Sequence, residues 1–182
     1  IIRYAFHSMD IKMKNDRVSS VIKAIDRLTD NTGRIGSWCS LLMVITMLLV
    51  VVLRYGFQIG SISLQESITY LNCVIFTSGV AYTLKEDAHV RVDVMYSKLR
   101  IKSKALVDLL GTVVFLGLTA GFILWTSWDY VSVSWRIREG SAESSGLPYV
   151  YVLKTSILII PIMLLIQGLS EFLKAYKMYH KN

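Results

Sequence analysis

Histidine, cysteine and proline are scarce in this chain, and each scarcity removes a class of function. There are three histidines, two cysteines and two prolines among 182 residues. A metal site needs several suitable side chains, and the only histidines besides His89, namely His7 and His180, sit in the terminal tails, so no metal is expected. They also lie outside the apolar runs, where a membrane haem would need axial ligands facing one another, so no cofactor is expected either. Cys39 and Cys73 both fall inside apolar segments and read as small buried hydrophobes rather than a disulfide framework. Charge is low as well. Asp, Glu, Lys and Arg make up 18% of the residues against 53% hydrophobic ones, and the mean hydropathy is +0.49. A soluble domain is excluded by that balance. No apolar run carries a nucleophile beside a base, so the chain is not expected to be an enzyme.

What the chain does have is uncharged runs of membrane-spanning length. A helix crossing about 30 Å of hydrocarbon needs roughly 20 residues. Ile35 to Leu53, Ser67 to Leu84 and Leu109 to Trp128 contain no charge. Leu147 to Ser170 contains only Lys154 near its start, and Pro161 in its middle. These predict an all-α integral membrane protein with four transmembrane helices, at about 35–55, 64–84, 106–129 and 148–171. Residues 1–33 form a cytoplasmic segment ahead of the transmembrane domain, 34–182. Within that segment Val18, Val21, Ile22, Ile25 and Leu28 recur at helical spacing, which predicts an amphipathic interfacial helix that turns into the first span through Asn31, Thr32 and Gly33. A second amphipathic passage along the inner surface is expected between spans two and three, with Asp93 as its cap.

The net charge of +7 raises nucleic acid as a partner, but its distribution argues against one. Seven basic residues precede the first span, six lie between the second and third, and three follow the fourth, which puts sixteen of the twenty on one side. The positive-inside rule then places both termini in the cytoplasm, with lipid head groups as partners of the basic surplus. Trp125, Trp128, Tyr130 and Trp135 form an aromatic belt at the opposite interface.

Several residues stand out as site candidates. Arg54 and Glu66 flank a short link at the outer interface, which predicts either a structural ion pair or a contact to a partner subunit. Gly79, Gly117 and Gly121 are expected to let helices approach closely, the last two as a GxxxG step. His89, Arg91 and Asp93 form a polar motif at the inner surface. The outer loop carries Arg136, Arg138, Glu139 and Glu143, the residues best placed to dock an external protein.

The ordered combination resembles the small, Q-type membrane subunit of tripartite ATP-independent periplasmic (TRAP) transporters. Arg54-Tyr55 closes the first span and Glu66 opens the second. Gly79-x-Ala81 and His89-Val90-Arg91-Val92-Asp93 follow, and Glu143-Ser144-Ser145-Gly146-Leu147-Pro148 precedes the last helix. The resemblance implies a bacterial inner-membrane protein paired with a large, M-type subunit that carries substrate and sodium. It also implies a periplasmic binding protein that delivers an organic acid, and a small subunit that braces the scaffold. The chain shows neither discontinuous helix pairs nor an internal repeat, the marks of a subunit that builds its own midplane site. The alternative is a membrane anchor or redox subunit of a respiratory complex, holding haem or quinone.

Overall fold

A computed structural model describes residues 17–86, 107 and 110–181. Among the described residues, four helices are long and apolar enough to cross a membrane. α1 spans Arg17–Gly56 and α2 spans Ile62–Lys85. A π-helical segment, Gly111–Gly117, leads directly into α3, Leu118–Ile137, and α4 spans Val150–Lys181. The inner-surface motif His89, Arg91 and Asp93 and the expected amphipathic passage around it lie outside the described residues.

α1 corrects one expectation. At 40 residues it is about 60 Å long at 1.5 Å per residue, twice the hydrocarbon thickness. It runs without a break through Asn31, Thr32 and Gly33, so the stretch from Val18 to Leu28 is continuous with the span rather than a separate interfacial helix. A glycine inside a helix costs roughly 1 kcal/mol relative to alanine, and tertiary packing overrides it here. Gly33 lies against the Tyr82 ring of α2, and Gly36 against Ser78. The periodic face expected to meet lipid is instead partly covered by protein. Ser19, Ile22 and Thr29 are buried, whereas Val21 and Leu28 stay exposed.

Local chemistry ends the helices where the loops begin. The Leu53 carbonyl accepts from the amides of Phe57, at 3.2 Å, and Ile59, at 2.9 Å. Gln58 between them takes a left-handed φ of 57°, a conformation more often left to glycine. Ser61 then caps α2 by accepting from the Leu64 amide at 3.3 Å, as hydroxyl residues do at helix starts. α3 stops at Arg138, with φ 50° and ψ 55°. α4 continues past Pro161, which is buried within it.

α4 is the central element, packing on α1, α2, α3 and the π segment, while α1 packs chiefly on α2. The interior is small and polar rather than large and apolar. It holds Ala81, Ala120, Ala175, Ser78, Ser134, Gln167 and Ser170, while Trp38, Phe76, Phe115, Phe122 and Trp125 face outward. That inversion suits a hydrocarbon solvent, in which large side chains gain little by turning inward and small residues let backbones approach.

Candidate functional site

Two polar assemblies hold the helices together, one at each end of the bundle. At the loop end, the Glu66 carboxylate of α2 reaches the 138–149 loop rather than α1. One oxygen accepts from the Ser141 hydroxyl and the other from the Leu147 amide at 2.6 Å. Ser141 and Leu147 are themselves tied by an amide-to-carbonyl bond of 3.1 Å. Gly146 closes this turn so tightly that a Cβ would strike Ser141 and stand 2.7 Å from a Glu66 oxygen. The Ser63 hydroxyl donates to the Ser145 carbonyl alongside. One turn below, the Tyr70 hydroxyl is buried with no hydrogen-bond partner among the described residues.

This geometry corrects the expected ion pair. Arg54 is exposed and forms no ion pair among the described residues, with Glu66 or any other acid. The short link does make α1 and α2 antiparallel neighbours. Glu66, however, sits on the α2 face turned toward α4 and its loop, where an amide and a hydroxyl satisfy both oxygens.

A second tie fixes the same loop. Glu139 accepts from Lys154 of α4 at 2.6 Å and from the Ser134 hydroxyl of α3 at 2.7 Å. The Lys154 ammonium lies 4.1 Å from the centre of the Tyr130 ring, a cation–π distance. Lys154 and Ser134 hold the Glu139 carboxyl below its ordinary pKa, because both donate hydrogen bonds to the charged form. Trp135 donates to Thr155 at 2.8 Å and packs edge-on against Tyr151, with ring centres 4.7 Å apart. Of the four loop residues singled out by sequence, Glu139 is therefore engaged within the chain. Arg136, Arg138 and Glu143 are exposed.

At the opposite end, beyond the uncharged runs, α1 and α4 are joined by a network that sequence reasoning missed. Asp26 accepts from Ser170 at 2.8 Å, Gln167 at 3.2 Å and Lys174 at 2.9 Å. Gln167 is fully buried; it accepts from Thr29 at 2.7 Å and donates to Glu171 at 3.0 Å. Glu171 also receives Lys174 at 2.8 Å. Lys85 of α2 pairs with Asp30 of α1, and Lys177 donates to Ser19 at 2.8 Å. The signal was a pair of stripes. Ser19, Ile22, Asp26 and Thr29 on α1, and Gln167, Ser170, Glu171 and Lys174 on α4, recur at spacings of three and four.

The glycines divide differently from expectation. A Cβ on Gly79 or Gly121 would meet nothing within 4 Å among the described residues, so neither is a close-packing point between the described helices. Gly117 ends the π segment. The close approach is made from α1 by Gly33 and Gly36. Gly79 is one position beyond the buried Ser78, and one residue of helix turns it about 100° away from that contact.

Comparison with known proteins decides the family. Residues 43–178 match the family described as the DctQ component of tripartite ATP-independent periplasmic transporters. The chain belongs to the DctQ family. It is thus a TRAP transporter component and a multi-pass membrane protein, as its four candidate spans require. The match covers α2, α3 and nearly all of α4, but begins within α1, so Asp26 and Gly36 lie before it. No curated protein and no solved structure matched the chain.

Proposed function

We propose that this DctQ protein braces a large, M-type subunit during sodium-driven uptake of an organic acid delivered by a periplasmic binding protein. The complex sits in the inner membrane with both termini of this chain in the cytoplasm, the orientation favoured by the basic asymmetry of the sequence. One observation carries the reading: polar ties lie at the two ends of the bundle, and the middle of every span is uncharged. Such a chain offers no midplane place for an ion or an anionic substrate and suits a stationary element. The outward-facing large side chains and the unopposed Gly79 and Gly121 supply surface for a neighbouring subunit. Arg136 in the last turn of α3, and Arg138 and Glu143 on the loop that follows, all exposed, are the residues through which the binding protein docks.

The test is affinity purification of the tagged chain in mild detergent from cells that co-express the large subunit. Recovery of both subunits as one species on size exclusion supports the proposal. Recovery of the tagged chain alone, with the large subunit intact in a separate fraction, contradicts it.

A further inference from the structure

Arg54 has a guanidinium at the end of an uncharged helix run and no acid to pair with among the described residues. It lines a shallow cleft with Ile59, Gly60, Ser61, Leu64 and Gln65, none of them charged. Glu66, the nearest acid in sequence, is turned away into the loop. Directly below, α1 and α2 leave between them an open groove of about 400 Å³, walled by Leu42, Leu49, Leu64, Leu71 and Val74 among others. Leu64 borders both spaces. The groove is walled mainly by hydrocarbon. Of its three hydroxyls, Thr46 donates to the Leu42 carbonyl at 2.8 Å and Ser67 to the Leu64 carbonyl at 2.6 Å, while that of Tyr70 is buried with no partner among the described residues.

The dimensions are those of one leaflet. From Arg54 to Leu42 is twelve residues along α1, about 18 Å at 1.5 Å per residue, against about 15 Å for half the hydrocarbon thickness. A planar guanidinium is well suited to a phosphate and can engage it through two bonds. We propose that the α1–α2 groove and Arg54 together form a site for one phospholipid of the leaflet nearest Arg54, with an acyl chain in the groove and the phosphate on the guanidinium. With no carboxylate lining the cleft to receive an ammonium, the site favours an anionic glycerol head group over choline or ethanolamine. A lipid held there fills the gap between the two helices that the short 57–61 link leaves open.

The experiment is native mass spectrometry of the complex of this chain with its large subunit, after detergent exchange and addition of phosphatidylglycerol or phosphatidylcholine. The site predicts one retained phosphatidylglycerol and weaker retention of phosphatidylcholine. Arg54→Gln reduces that retention roughly tenfold, the scale of one charge-assisted hydrogen-bonding group, and Thr46→Trp, which fills the groove from an exposed helix face, displaces the lipid. Equal retention of both lipids, or wild-type retention in both variants, overturns the site. So does a crosslink from Thr46→Cys to the large subunit, which would place a partner helix in the groove.

Discussion

Glu66 holds the 138–149 loop through an amide and a hydroxyl some eighty residues further along the chain, which is why its partners were not evident. Nothing near Glu66 in sequence announces Ser141 or Leu147, whereas Arg54, across a short link, is an obvious counter-charge. Glu66→Ala leaves the partly buried Leu147 amide and Ser141 hydroxyl without their acceptor, which removes two charge-assisted hydrogen bonds from the loop. The variant is expected to free the loop, so that a thiol placed at the exposed Ser144 reacts several-fold faster with a membrane-impermeant maleimide. Gly146→Ala should do the same by steric collision. Unchanged labelling in both would show that the latch does not order the loop.

Glu139 gives that assay a pH dependence. Its folded pKa is lowered by Lys154 and Ser134, so its stabilising contribution is present above the unfolded value of about 4.3 and is lost as pH falls through the folded value. Labelling at Ser144→Cys, expressed relative to a free-thiol peptide at the same pH because maleimide reacts with the thiolate, should therefore hold its neutral-pH ratio down to the ordinary carboxylate range and rise only below it. Glu139→Gln should shrink that acid step, leaving the part due to the Glu66 latch, while labelling faster at neutral pH.

Among the elements, the four spans were legible because run length and the absence of charge are direct consequences of hydrocarbon thickness. The length of α1 was not. Asn31, Thr32 and Gly33 carry the local signals of a helix stop, and tertiary contacts on this stretch override them: Gly33 packs on Tyr82, Gly36 on Ser78, Thr29 bonds Gln167 and Asp30 pairs with Lys85. The polar stripes of α1 and α4 were individually visible, but either alone reads as a solvated face. Their meaning depends on which helices are neighbours. Gly36 offers the sharpest test at this scale. A Cβ there collides with the Ser78 hydroxyl, which is tied to the Val74 and Ile75 carbonyls at 2.8 and 3.0 Å. Gly36→Ala is expected to destabilise the fold by about 1–3 kcal/mol, the usual cost of overpacking. Adding Ser78→Gly should recover most of the loss, and a double-mutant cycle of denaturation in detergent would measure the coupling. Additive losses would mean that the two helices do not meet at this point.

For the molecule as a whole, the arrangement is that of a body tied at both ends and plain in the middle. Loop-end ties join α2, α3 and α4, and opposite-end ties join α1, α2 and α4, so all four spans are fixed to one another without any charge at midplane. α1 and α4 extend past the apolar runs as a paired stalk, and the part of α1 in that stalk lies before the family match. Such an arrangement is what the proposed bracing role asks for, and that role is the central claim. The most direct measurement is sodium-driven substrate uptake into proteoliposomes at saturating binding protein, with the large subunit alone, this chain alone, and both together. The account predicts uptake only when both are present. Uptake by this chain alone, or undiminished uptake by the large subunit without it, would contradict the account.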